Sequence, residues 1–248
     1  MKKNFLLIFL MAWVLFSCDK EEKLVVPAPE FTIPDEFYTT EEYVTIKDVS
    51  EADGYHWDFG NGTTSTQREP DSFTYTEPGA YTITLTTYTA GVAKTTEKEV
   101  KVARLYAYEV QLLSYFENYA LEGGDTGAPS EGNPDVYLQV SAIENNKEQV
   151  IFKSDVRPAV TREDLPLTFA VDRILLGRPY SPYTFEPFFK FFDQTEDKAD
   201  RLIAHNIVAG GSSHFYLDKA AKEGYYTQQR GNDNWGSHIL VKFKAELP

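Results

Sequence analysis

Apolar and polar positions alternate along short stretches of this chain, and almost nowhere do they recur at helical spacing. Tyr81-Thr82-Ile83-Thr84-Leu85-Thr86 sets Tyr81, Ile83 and Leu85 on one side and threonines on the other, the pattern of a half-buried antiparallel strand. Tyr43 to Ile46 and Glu99 to Val102 alternate in the same way, and Asn61-Gly62 and Pro78-Gly79 supply turns between strands. Short strands at this spacing predict a sandwich. The pattern restarts at Arg104, with apolar segments at 105–116, 135–142, 149–153, 165–171, 183–192, 202–208, 225–228 and 239–247. These are about eight candidate strands, enough for a second sandwich. Lys219 to Glu223, ahead of Gly224, reads as one short helical turn. The predicted fold class is all-β: one sandwich over residues 31–103 and an eight-stranded sandwich over 104–248. The 16 tyrosines and 17 phenylalanines agree with pleated surfaces rather than helices.

The first residues differ in kind. Lys2 and Lys3 precede an apolar run from Phe5 to Phe16, with Ser17 before Cys18. The run is about twelve residues long, and a membrane-spanning helix needs roughly twenty, so residues 1–17 read as a cleaved secretory signal. Cys18 is the single cysteine and has no intramolecular disulfide partner. Leu15-Phe16-Ser17-Cys18 resembles a lipobox, although Phe16 is bulky for that position. The resemblance implies a covalent lipid on Cys18 and attachment to a membrane. Two or more acyl chains make such attachment stable. Asp19-Lys20-Glu21-Glu22 resembles the acidic export tag of lipoproteins on the outer surface of Bacteroidota cells, which implies an outer-membrane lipoprotein facing the cell exterior. The alternatives are inner-membrane retention, which Asp19 signals in other Gram-negative bacteria, and a solvated spacer. Residues 18–30, with Pro27 and Pro29, read as a semi-extended tether.

Within the first sandwich, Trp57 and Phe59 point the same way from one strand and form a core anchor. Gly60 and Gly62 permit the tight turn that follows. Tyr55-His56-Trp57-Asp58-Phe59-Gly60-Asn61-Gly62, followed by Phe73-Thr74-Tyr75 and by Pro78-Gly79-Ala80-Tyr81-Thr82-Ile83, resembles a PKD domain. That family most often has Asp where Asn61 stands. The resemblance implies an immunoglobulin-like spacer or interaction module of surface proteins. His56 reads as a strand residue facing water.

Two acidic loops stand out in the second sandwich. One contains Asp125 and Asp135, and the other contains Asp193, Asp197 and Asp200. Calcium takes six to eight oxygen ligands in flexible geometry, so carboxylates converging from two loops suit it. These loops resemble those of the calcium-dependent lipid-binding sandwiches called C-two domains, which implies calcium as a ligand. The order Pro134-Asp135-Val136-Tyr137 and the interval from Asp193 to Asp197 depart from that family. The competing reading is a solvated acidic surface. Aromatic residues offer a different surface: Tyr225, Tyr226 and Trp235 lie near loop-forming residues and are candidates for stacking on sugar rings. The aromatic tract from Tyr183 to Phe192 reads as a buried strand, because Tyr183, Phe185, Phe189 and Phe191 share a face.

The formal charge is −14, and loss of Lys2 and Lys3 with the signal makes it more negative by two. Nucleic acid is thereby disfavoured as a partner, since such a chain repels polyphosphate. Neither Gly-x-Ser-x-Gly nor His-Glu-x-x-His occurs. Gly210-Gly211-Ser212-Ser213-His214 places serine beside histidine with no carboxylate orienter. The sequence therefore points to a non-catalytic, lipid-anchored surface protein for binding or adhesion, with a protein or glycan as extracellular partner. A glycan-capture lipoprotein of a polysaccharide-uptake system is the second reading, and a small extracellular hydrolase the third.

Overall fold

The computed structural model describes residues 25–40, 42–115, 132–177, 187–196, 199–205, 212–230 and 236–248. The fold is all-β, with one 3-10 turn at Arg162–Asp164 among the described residues. The first half contains β1 (Phe37–Thr39), β2 (Tyr43–Val44), β3 (Gly54–Asp58), β4 (Thr64–Ser65), β5 (Phe73–Thr74) and β6 (Gly79–Thr89). A long strand, β7 (Val92–Ser114), leads into the second half. There follow β8 (Val136–Glu144), β9 (Lys147–Lys153), β10 (Leu167–Leu176), β11 (Phe188–Asp193), β12 (Arg201–His205), β13 (Ser212–Asp218), β14 (Glu223–Arg230) and β15 (Ser237–Glu246).

The first core collects Trp57, Phe59, Tyr75, Ile83, Leu85, Val100 and Val102. Trp57 is fully buried, and its indole Nε1 donates to the carbonyl of Gln67 at 2.9 Å, so its one polar atom is satisfied. Phe31 meets Trp57 edge-on at 5.1 Å, and Tyr75 stacks on Tyr81 at 4.0 Å. Burial pushes the Tyr75 hydroxyl well above its ordinary pKa, and it donates to the carbonyl of Phe59 at 2.7 Å. The turn after β3 depends on Gly60 at φ +75°, where a Cβ would stand 2.8 Å from the Thr82 carbonyl oxygen. Asn61 Oδ1 accepts from both the backbone N–H and the hydroxyl of Thr63, at 3.0 and 2.6 Å. A neutral amide thus closes the turn where the family pattern has a carboxylate. His56 is exposed on β3.

The segments read from sequence as separate strands, Glu99–Val102 and Leu105 onward, belong to one continuous strand of 23 residues. Its first part pairs with β6 and, in parallel, with β1; its second part lies between β15 and β10. Val100 and Val102 enter the first core, whereas Ala103, Leu105 and Ala107 enter the second. Alternate residues of a strand face opposite sides. The switch of parity at Val102–Ala103 therefore sets the two cores against opposite faces of one ribbon.

The second half is a sandwich of two sheets, ordered β13-β14-β15-β7-β10 and β12-β11-β8-β9. Leu138, Val140, Phe189 and Phe191 from the smaller sheet meet Leu112, Phe169, Val241 and Phe243 from the larger. Phe189 and Phe191 are fully buried, as the shared face predicts. Two expectations are corrected. A ninth strand, β13, runs through Ser212-Ser213-His214, and Lys219–Lys222 forms the tip of the β13–β14 hairpin rather than a helical turn. Asp218 Oδ1 accepts from the N–H groups of Ala220 and Ala221, both at 2.9 Å, so a local side-chain acceptor outcompetes the helical pattern.

That hairpin tip reaches the first half. Lys219 Nζ pairs with Asp35 at 2.9 Å and Glu42 at 2.6 Å, and lies 4.9 Å from the ring centroid of Tyr38. Glu42 also accepts from the N–H of Thr39 at 3.0 Å. Phe37 of β1 packs against the second core. A shared strand and a charged clasp thus join the halves.

Candidate functional site

Three of the five aspartates proposed as metal ligands lie among the described residues: Asp135, Asp193 and Asp200. Their chain segments meet at one end of β8 and β11, where the N–H of Gln194 donates to the Asp135 carbonyl at 2.8 Å. Each carboxylate already has donors from the protein itself. Asp135 Oδ1 accepts from the N–H of Ala159 at 2.7 Å. Asp193, 1% exposed, accepts from the N–H of Asp135 at 3.0 Å and pairs with Arg201 at 3.2 Å. Asp200 accepts from the Tyr137 hydroxyl at 2.8 Å and from the N–H of Thr195 at 3.1 Å. Burial first, and then the Asp200 carboxylate, push the Tyr137 hydroxyl well above its usual pKa. Among the described residues, no three His, Cys, Asp or Glu side chains are grouped to hold a metal ion. The acids that are described act as acceptors that close loops, and Asp125 and Asp197 lie outside the described residues.

The aromatic candidates separate by strand parity. Tyr226 is 4% exposed and belongs to the second core, so it is no part of a surface. Its hydroxyl donates to Gln228 at 3.1 Å, and burial pushes its pKa up to about 12. Tyr225, one residue earlier, faces outward and is 40% exposed. Opposite it on β13 is Tyr216, 52% exposed, with ring centroids 5.4 Å apart and planes inclined at 31°. Sequence reading missed Tyr216 because it assigned residues around 212–214 to a loop; the alternation of His214, Tyr216 and Asp218 was the available signal. Trp235 and Cys18 lie outside the described residues.

Beside this pair the outer face of the larger sheet carries Lys242 paired with Glu109 at 2.8 Å and Lys244 paired with Glu223 at 3.2 Å. The Glu109 pair holds the Lys242 ammonium above its ordinary pKa. Ser213 and His214 are consecutive on β13, so their side chains point to opposite faces and form no nucleophile–base pair. Among the described residues, no helix is long and apolar enough to cross a membrane.

Residues 26–103 match the family model of the PKD domain. A solved structure from work on the promiscuous specificity of carbohydrate-binding modules of the β-sandwich superfamily is similar over 89% of this chain and 92% of that chain, with 13% identity. Its TM-score is 0.27, too low for the superposition to carry an architecture or a ligand across. No curated protein matches the chain. Fold and match together give the class: an all-β protein in which a segment matching the PKD domain, residues 26–103, is followed by a β-sandwich.

Proposed function

We propose that this is a non-catalytic binding or adhesion protein, lipid-anchored through Cys18 and displayed at the cell surface, in which the PKD domain spaces the ligand-binding sandwich from the membrane. The PKD match over residues 26–103 is the observation that carries this reading, since such domains serve surface proteins as spacers or interaction modules. The tether, the PKD domain and the second sandwich follow one another in that order from the anchor. Incorporation of radiolabelled palmitate that is lost in Cys18→Ala, together with protease sensitivity of the second sandwich on intact cells, tests anchoring and display. Label retained in Cys18→Ala would refute the anchor.

A glycan is the ligand class we favour, and the exposed Tyr216–Tyr225 pair is the specific support for it. Two adjacent exposed rings on a sheet offer apolar faces for the C–H faces of sugars, and the neighbouring charged pairs offer donors and acceptors for hydroxyls. Glycan-array binding that disappears in Tyr225→Ala supports this reading; retention of array binding in that variant removes it. Calcium held by Asp125, Asp135, Asp193, Asp197 and Asp200 is a separate proposal.

A further inference from the structure

We propose that the outer face of the larger sheet of the second sandwich is a track for a linear, uncharged oligosaccharide that lies across the strands. This rests on the glycan reading above and adds the course, direction and charge class of the bound chain.

Strand register supplies the track. Tyr216 on β13 stands opposite Tyr225 on β14, Tyr225 opposite Lys242 on β15, Lys242 opposite Glu109 on β7, and Glu109 opposite Ala170 on β10. Directly paired residues share a sheet face, so these five form one row perpendicular to the strands. Neighbouring strands lie ~4.8 Å apart, which gives the row a length of roughly 19 Å, room for about four hexose units of an extended chain.

The chemistry changes along the row in a way that suits a sugar chain. The two tyrosines provide ring faces at one end. The Lys242–Glu109 pair places a donor and an acceptor side by side, the complement of two vicinal hydroxyls. His214, Thr227, Leu240, Gln111 and Thr168 form the parallel row on one flank, polar except for Leu240 at its centre. On the other flank β7 bulges: Tyr108 has no partner between Lys242 and Phe243, and β10 is irregular at the same level, between Ala170 and Ile174. Such irregularities re-aim side chains. Here they raise a wall in which Arg173 lies 4.2 Å from the ring centroid of Tyr106 and pairs with Glu246, and Lys244 lies 5.1 Å from that of Tyr108. A recess of about 250 Å³ opens among these side chains.

Charge balance selects the ligand class. Every cation named on this face has an acid partner, in the pairs Lys242–Glu109, Lys244–Glu223 and Arg173–Glu246. These pairs balance, Asp172 beside Arg173 adds a further acid, and the chain carries a formal charge of −14, so an acidic glycan gains no unpaired cation and meets a repulsive field. Ala170 is small and exposed, and among the described residues β10 and β13 are both sheet edges, so the track is open at both ends and accepts internal segments of a longer polymer.

The test is titration calorimetry of the full protein with neutral cello-, manno- and xylo-oligosaccharides from disaccharide to hexasaccharide, with oligogalacturonates as the acidic series. Affinity for one neutral series is expected to rise with length and level off near the tetrasaccharide. Tyr225→Ala should cost about tenfold at every length, equivalent to ~1.4 kcal/mol. Ala170→Arg, at an exposed site, should remove the gain from the longer members and leave the disaccharide unchanged. Failure of the wild-type protein to bind any neutral oligosaccharide would sink the glycan reading and the track with it. Binding lost in Tyr225→Ala but unaffected by Ala170→Arg at all lengths would keep the glycan reading and overturn the track. Equal binding of the acidic series would overturn the charge class.

Discussion

Replacing Lys219 by alanine tests whether the hairpin tip holds the two halves together. The side chain is 30% exposed, and its partners Asp35 and Glu42 are 47% and 19% exposed, so each ion pair is worth about 0.2–1 kcal/mol after solvent screening. The ammonium over Tyr38 adds about 0.5–1 kcal/mol. The expected loss is therefore about 1.5 kcal/mol, an appreciable part of a total that is typically about 5–15 kcal/mol. Burial alone would lower the Lys219 pKa, but the hydrogen bonds its ammonium donates to Glu42 and Asp35 outweigh it and raise the value. A raised lysine pKa stabilises the fold fully below the ordinary lysine range, and that contribution is lost as pH rises through the raised value. The assay is urea unfolding of a soluble form beginning after Cys18, in a Trp235→Phe background, so that Trp57 in the first core reports by fluorescence. Near-UV circular dichroism follows the tyrosines of both halves. Combining Lys219→Ala with Glu42→Gln in a double-mutant cycle isolates the clasp. A change below about 0.3 kcal/mol in low salt, with no coupling in the cycle, would refute the clasp.

Gly224→Ala should strain the same hairpin, because a Cβ there would stand 2.1 Å from the Tyr216 carbonyl oxygen and 2.7 Å from the Phe243 ring. A loss of about 1–3 kcal/mol or more is expected in thermal melts, and a neutral substitution would contradict the packing. Asp193→Ala removes an acceptor from both the Arg201 guanidinium and the Asp135 N–H and should cost about 1–3 kcal/mol in chelator as well as in calcium. A loss confined to calcium-containing buffer would instead assign Asp193 to a metal site. Burial pushes Glu148 upward, but hydrogen bonds from Lys190 and Ser141 outweigh it and lower the pKa below the ordinary value of 4.5. Its stabilisation is present above that value and fades as pH falls through the lowered one, so Glu148→Gln should flatten the acid limb of a stability–pH profile. An unchanged acid limb would show that the Glu148 network does not contribute there.

The alternating pattern by itself determined the all-β class, the buried pair Trp57 and Phe59, and the burial of Phe189 and Phe191, because a period of two residues is a local property of a strand. It also supported the PKD resemblance through the motif around Trp57 and Gly60. Long-range pairing decided the rest. No turn residue separates Val102 from Ala103, yet a change of parity there looks like a strand end until both cores are seen to flank one ribbon. Tyr225 and Tyr226 are equivalent as sequence, and only the pairing of β14 between β13 and β15 puts one in water and the other in the core. Asp193 finds its donors at Asp135 and Arg201, one of them 58 residues away, and so braces a loop that its own neighbours do not reveal. Lys219 acquires its meaning from Asp35 and Glu42, more than 170 residues earlier in the chain. Periodicity is written in neighbouring residues, whereas the partner of a charge and the neighbour of an exposed ring are fixed only when distant strands pair.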